Sequence, residues 1–389
     1  MPAEWEPQLG VIVGGLDDNA AFEMIVQLSK ETQVYCTVVD SLKDINIKKL
    51  TEEGANLDSI HFIPSSTEFS YAERDGILFM KNNNGQKQIV NFEWNSYGWY
   101  FEPTYKNYLE RDKQKRKLYT ELHINTFKYP VITSSMVNEG GAIETNGEGT
   151  ILQVESVNMQ RNPGMSKELQ EAELKRVVKA KKVIWLKEGA AEDPFGWGTL
   201  ITENYFGIGV QGHLDEFCRF VNKNTILISF PDSLEAELDP VKKINLERMK
   251  VNYELLKNAT DQDGNPFTII KMPVPDVNYM TFALDTANNN DEIKFLSQQI
   301  LSEQKNFSVG DTVHFVPASS YLNFLITNKT VFASKYWEVG LSESSKAKDE
   351  KVKQILQQYF PDKNIYQINT TETNHNGGGL HCWSMQLPK

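Results

Sequence analysis

Short runs of apolar residues, many alternating with polar ones, recur in pairs along this chain, and longer stretches with helical spacing follow or precede them. Strand-like runs rich in β-branched and aromatic residues are Gly10–Gly14, Gln33–Asp40, Ile60–Ile63 and Gly76–Met80. Polar Asn/Gly turns join several further pairs, which is the hairpin signal. Asn82-Asn83-Asn84-Gly85 separates Ile77–Met80 from Gln88–Phe92, and Asn146-Gly147 separates Ala142–Thr145 from Thr150–Val154. Asn222-Lys223-Asn224 and Asn328-Lys329 do the same for Phe217–Val221 with Ile226–Phe230 and for Leu322–Ile326 with Val331–Ala333. Helices are expected at Asp18–Glu31, Tyr105–Thr126, Ser166–Lys181, Asp239–Asn258 and Ser344–Phe360. Ser166 reads as an N-cap, and Asp239 as a cap followed by Pro240 at the first helical position.

Five hairpin-and-helix units predict an α/β pseudo-repeat of sheet-plus-helix blades closing around a central axis. Pro/Ser-rich linkers and low-complexity tracts do not divide the chain, so the expectation is one domain over residues 1–389. The charged helix Asn290–Gln304 interrupts the order and reads as an insertion at about residues 286–308.

Composition narrows the class. At 389 residues with 40% hydrophobic and 24% charged, the chain can build a sizeable core. A formal net charge of -12 argues against a nucleic-acid surface and suits a small cationic partner. Apolar runs fall short of a membrane span, and Met1–Pro7 has no signal-peptide character, which predicts a cytoplasmic protein without membrane association. Three cysteines (Cys36, Cys218, Cys382) are odd in number and widely spaced, so neither a disulfide framework nor a CxxC metal site is expected. No HExxH, P-loop or dinucleotide fingerprint is present, and the expectation is no metal and no cofactor. A homo-oligomer is compatible with the sequence, which does not fix the oligomeric state.

Candidate chemistry centres on Asn376-Gly377-Gly378-Gly379-Leu380-His381-Cys382. Three glycines suit unusual dihedrals or a close approach to the main chain, and a thiol beside them is placed as a nucleophile; the alternative is a mobile tail with an incidental thiol. Of six histidines, His213 stands out in Gly212-His213-Leu214-Asp215. Read as a strand, this run puts His213 and Asp215 on one face as an acid/base pair, the alternative being a surface ion pair. Glu73-Arg74-Asp75-Gly76 before an apolar strand and Asn138-Glu139-Gly140-Gly141-Ala142 before a hairpin are site candidates or polar turns. Trp94–Tyr100 is an aromatic loop that walls a pocket or caps the core. A thiolate, an imidazole and two separated carboxylates (Asp75, Asp215) are what guanidinium hydrolysis requires. The carboxylates accept the planar cation's N–H groups bidentately and fix its carbon against sulfur. A peptide carbonyl would instead call for oxyanion donors.

These segments resemble the agmatine deiminase and bacterial peptidyl-arginine deiminase family of the guanidino-group-modifying pentein superfamily. The matching segments are Pro2–Pro7, Arg74-Asp75, Glu139–Ile143 with Asn146-Gly147, Arg161-Asn162-Pro163 and Ser166-Lys167. Gly212–Asp215, Arg219-Phe220 and Gly378–Cys382 complete them, in order along nearly the whole chain. The resemblance implies a fivefold pseudosymmetric β/α propeller, with Cys382 as nucleophile, His213 as general acid/base and Asp75 and Asp215 as guanidinium-binding carboxylates. Arg74, Glu139, Gly378, Gly379 and Trp94 are further expected around the substrate. It implies a covalent S-alkylthiouronium on Cys382 and hydrolysis to a ureido product. The leading substrate is agmatine, giving N-carbamoylputrescine and ammonia on a route to putrescine. Alternatives are free or peptidyl arginine, or a silent guanidinium-binding protein of the same fold. Gly209-Val210-Gln211 stands where agmatine deiminases carry an acidic residue and Thr-Asp, and the usual N-terminal Trp-Pro is absent; both departures leave the substrate's tail open.

Overall fold

The Asp18 carboxylate accepts from the Ala21 N–H at 2.9 Å and so starts the helix Asn19–Leu28, a cap worth about 1 kcal/mol. Met24, Ile25 and Leu28 on its inner face bury completely against Val11, Val13 and Val34 of two adjacent strands. The same device recurs. Ser166 caps Lys167–Val177, Asp239 caps Pro240–Asn258 with proline in the first turn, and Ser342 caps Glu343–Tyr359. The computed structural model describes residues 1–65, 72–82, 84–100 and 106–389. Asn83 of the expected first turn and Tyr105, the expected start of a helix, lie outside the described residues; the helix runs over Lys106–Phe127.

Five of the six sheets among the described residues repeat one strand order: an antiparallel pair, a helix, then a third strand parallel to the second. Leu78–Lys81 pairs with Lys87–Glu93, which pairs in parallel with Val131–Val137. Glu144–Thr145, Thr150–Val154 and Lys182–Leu186 repeat this. So do Cys218–Asn222, Thr225–Ser229 and Thr268–Met272. Leu325–Ile326, Thr330–Lys335 and Asn364–Asn369 form the next unit. In the fifth, the C-terminal strand Ser384–Pro388 supplies the antiparallel partner of Gln8–Val13, and Gln33–Val39 and Ile60–Ser65 continue in parallel. Consecutive units share apolar cores. Met385 and Leu387 pack with Phe79 and Ile151, Leu152 with Phe220, and Leu227 with Phe324; Leu325 and Phe332 then pack with Val11 and Val34. The architecture is therefore mixed α/β with several sheets and covering helices.

The sixth sheet departs from the repeat. Phe195–Thr202 and Tyr205–Val210 form a hairpin between Lys182–Leu186 and Cys218–Asn222, and this hairpin is extended by Thr312–Val316 and Met280–Ala283. The helix Asp291–Glu303, within the expected insertion, buries Leu296 and Ile300 against Phe206 and Ile208 of this sheet. No helix among the described residues is long and apolar enough to cross a membrane.

Candidate active site

Cys382 is buried at 9% exposure just before the last strand. The glycines ahead of it clear the space around the sulfur: a Cβ on Gly378 (φ +97) would lie 3.0 Å from Cys382 Sγ, and one on Gly379 2.7 Å from Asn323 Oδ1. Asn374 Nδ2 donates to Gly378 O at 2.6 Å and fixes the loop. The backbone of Cys382 is gripped from two sides. The Arg74 N–H donates to its carbonyl at 2.9 Å, and its own N–H donates to Asn323 Oδ1 at 3.3 Å. Asn323 Nδ2 then donates both to Glu216 Oε1 at 2.7 Å and to Cys382 Sγ at 3.1 Å. Sγ lies 3.7 Å from Asp215 Oδ2 and 3.8 Å from Glu216 Oε1. Burial and the charges of Asp215, Glu216 and Asp75 push the thiol well above its ordinary range, so the resting group is S–H.

His213 and Asp215 do not lie on a strand as expected. Gln211 (φ +79) and Gly212 (φ +88) break the extended run, and Asp193 Oδ2 accepts the N–H groups of Gly212 and His213 at 2.9 and 2.7 Å. A 3-10 turn over Leu214–Glu216 follows, and the strand begins at Cys218. The two side chains consequently have different partners. Asp215 Oδ2 accepts from His381 Nδ1 at 2.7 Å, while its other oxygen is buried without a protein partner among the described residues. Burial would raise the Asp215 carboxyl, but the hydrogen bond and charge of His381 outweigh it and hold it below the ordinary range. His213 Nε2 lies 3.4 Å from Glu139 Oε2, and its Nδ1 4.0 Å from Asp75 Oδ2. Burial opposes the imidazolium, yet Asp75 and Glu139 prevail and lift its pKa to about 9.

Asp75 is held from two directions. Oδ1 accepts from the Gly141 N–H at 2.8 Å and Oδ2 from the Tyr97 hydroxyl at 2.9 Å. Burial raises its pKa against the pull of His213, the situation that a bound cation reverses. Gly141 is required where it stands: a Cβ there would lie 2.6 Å from His213 Nδ1 and 3.1 Å from both Asp215 oxygens. This glycine therefore lets Asp75, His213 and Asp215 converge.

Three of the expected substrate contacts have other occupations. Arg74 points its guanidinium at Glu4 Oε1 (2.9 Å), Gln386 Oε1 (2.7 Å) and His381 O (3.3 Å); being fully paired and buried, it braces the segment carrying Cys382. Glu139 accepts from Arg161 Nε at 2.8 Å; although burial opposes ionisation, Arg161 and His213 depress its pKa to about 2. Trp94 stands edge-on behind Tyr97 at 4.8 Å between ring centroids, and it is Tyr97 that reaches Asp75 and His213.

Glu4, Asp193, Glu216, Asn323 and His381 were not singled out from sequence as site residues. Glu4 accepts from His381 Nε2 at 2.7 Å, from Arg74 and Gln386, and from Arg219, joining the N-terminal segment to the thiol. Its signal was present in Pro2–Pro7, one of the matching segments, whereas a lone Asn323 in an unremarkable run offers none. Among the described residues, Asp215, Glu216 and Cys382 are the group that could hold a metal ion, with ligand atoms within 4.8 Å of one another. The arrangement sets a thiol beside the carboxyl groups of Asp215 and Glu216, with the His213 imidazole and Asp215 converging on Gly141.

The sequence model of Porphyromonas-type peptidyl-arginine deiminases matches residues 1–388. The agmatine deiminase of Pseudomonas syringae pv. tomato is 28% identical over 403 residues, covering 100% of this chain and 95% of that protein. That of Pseudomonas fluorescens is 26% identical with the same coverage. The structure of the Enterococcus faecalis agmatine deiminase superposes with a TM-score of 0.73 at 22% identity, over 100% of this chain and 95% of that one. The substrate-bound C. jejuni agmatine deiminase gives 0.68 at 20% identity, over 100% and 96%.

Proposed function

Because the chain belongs to the Porphyromonas-type peptidyl-arginine deiminase family, we propose that it hydrolyses a guanidinium through a covalent intermediate on Cys382. The observation carrying this reading is the buried sulfur set 3.7 and 3.8 Å from two carboxylates, one of which has an oxygen with no protein partner among the described residues. Asp75 and Asp215 accept N–H groups of the cation, whose charge favours loss of the thiol proton to solvent. The thiolate attacks the guanidinium carbon and forms the C–S bond. His213, protonated up to about pH 9, gives its proton to the departing nitrogen, and ammonia leaves with cleavage of the C–N bond. Neutral His213 then takes a proton from water, which attacks the thiouronium carbon; the C–S bond breaks, and a ureido product and free Cys382 result.

Agmatine is the leading substrate, supported by the name shared by curated relatives aligning over the whole chain. Its products would be N-carbamoylputrescine and ammonia. Peptidyl or free arginine is the second reading, favoured by the description of the matching family. The five repeated strand orders and the cores shared from each unit to the next, and from the last back to the first, support a single fivefold β/α propeller domain. Three unpaired cysteines support a reducing, cytoplasmic setting.

Incubation with agmatine, arginine and an arginine-containing peptide, assayed for ammonia and ureido product, tests the reading. Failure of every guanidine with Cys382 reduced would refute it. Cys382→Ser should abolish turnover yet keep ligand-induced thermal stabilisation, since the carboxylates remain.

A further inference from the structure

The hairpin that interrupts the fivefold strand order touches the site at three points. Asp193, just ahead of it, holds the His213 N–H; Gly209 O accepts from Trp99 Nε1 at 3.1 Å; and Ile208 O lies 4.0 Å from the Cβ position of Gly377 in the thiol's loop. It thus borders both loops that frame Cys382. On its first strand, Trp197 stands between Gly196 (φ +104) and Gly198 (φ +62), and the pairing register shifts between Trp197 and Thr199. Two left-handed glycines and a bulge are costly in a strand and re-aim the side chain between them. Trp197 is turned onto Trp99, 5.7 Å between centroids. Trp99 packs on Tyr97 at 5.0 Å, and Tyr97 on His213 at 5.9 Å. Beyond Trp197 the series continues to Phe295 of the helix Asp291–Glu303 at 5.8 Å. Exposure rises outward along it, from 5% at Tyr97 to 39% at Trp197 and 42% at Phe295.

We propose that Trp99, Trp197 and Phe295 form the wall carrying the substrate's tail, so that the preferred substrates are guanidines on a linear alkyl chain without a carboxylate. The inference rests on the guanidine deiminase reading and names its substrate class. Aromatic faces gain by dispersion and burial along an alkyl chain and give an anion nothing in return. Arg161, whose guanidinium lies over Tyr97, is already held by Glu139, Gln160 and the Val210 carbonyl and does not serve as a carboxylate anchor.

The test compares kcat/KM for methyl-, butyl- and hexylguanidine in the wild type, Trp197→Ala, Trp197→Phe and Phe295→Ala. In the wild type kcat/KM should rise with chain length. The hexyl-to-methyl ratio should fall about tenfold in Trp197→Ala, and Trp197→Phe should restore most of it. An unchanged ratio, or an equal loss on all three guanidines, overturns the proposal. If the wild type turns over agmatine or arginine but none of these three, the wall proposal is overturned and the deiminase reading stands; if it turns over no guanidine at all, the deiminase reading fails on its own account. Calorimetric Kd values for the same guanidines then decide the wall: no dependence on chain length in the wild type, or the same dependence in Trp197→Ala, overturns it.

Discussion

His381 Nδ1 and Asp215 Oδ2 lie 2.7 Å apart, so the residue preceding the thiol in sequence orients the carboxylate beside the thiol in space. Through Nε2, the same ring is tied to Glu4. Facing His381 are Asp215 and Glu4, with Arg74 and Arg219 bound to Glu4 behind them. Replacing His381 by Asn leaves the buried Asp215 carboxylate without its imidazole partner, an effect of about 3–5 kcal/mol on stability. Asp215 is depressed in the folded state, so its contribution is present above the ordinary carboxylate pKa and is lost as pH falls through the folded value. In His381→Asn the acid limb of kcat/KM should therefore move to higher pH, with a raised KM. An unmoved limb would remove His381 from this role.

The thiol's elevated pKa comes first from burial and then from its acidic neighbours, and the second part can be relieved. Asp215→Asn removes a negative charge 3.7 Å from Sγ, so alkylation of Cys382 by iodoacetamide at neutral pH should speed up about tenfold while turnover is lost. Cys36 and Cys218, wholly buried, contribute no background. Slower alkylation in the variant would contradict the electrostatic account.

His213 sets the basic limit. With its pKa lifted to about 9, this proposed general acid remains charged through neutrality, and kcat/KM should decline above about pH 9. Its stabilising contribution is likewise complete below the unfolded pKa and disappears as pH rises through about 9. Glu139→Gln removes one of the charges responsible, so this limb should shift to lower pH, accompanied by destabilisation because Arg161 loses its carboxylate partner. A pH–rate profile with its limb in place would show that another group titrates.

Gly141→Ala probes the convergence of the three side chains. The added methyl overlaps His213 Nδ1, at 2.6 Å, and should cost about 1–3 kcal/mol in stability and most of kcat. Full activity in this variant would place the acting imidazole elsewhere.

Much of the fold was legible because local signals agreed with the tertiary outcome. Asn146-Gly147 turns a hairpin with Gly147 at φ +78, and Ser166 and Asp239 cap helices where their side chains suggested. His213 misled for a local reason: alternation extended a strand through Gly212, whereas the Asp193 carboxylate, twenty residues away, captures its N–H and bends the chain. Arg74, Glu139 and Trp94 sit in the segments that matter but hold up Cys382, His213 and Tyr97 respectively. A motif shows which segment approaches a site, and only packing shows which of its atoms arrives. Asn323 was invisible because one amide bridging two acceptors and two donors has no sequence period.

The link from Glu4 to His381 spans 377 positions of chain. Side chains contributed at Glu4, Asp75, His213, Asn323 and Cys382 meet around Gly141 only when the most distant contacts form, and distant contacts form late because loop closure must precede them. Competence therefore belongs to the finished molecule alone: on refolding, enzymatic activity should return after helical signal.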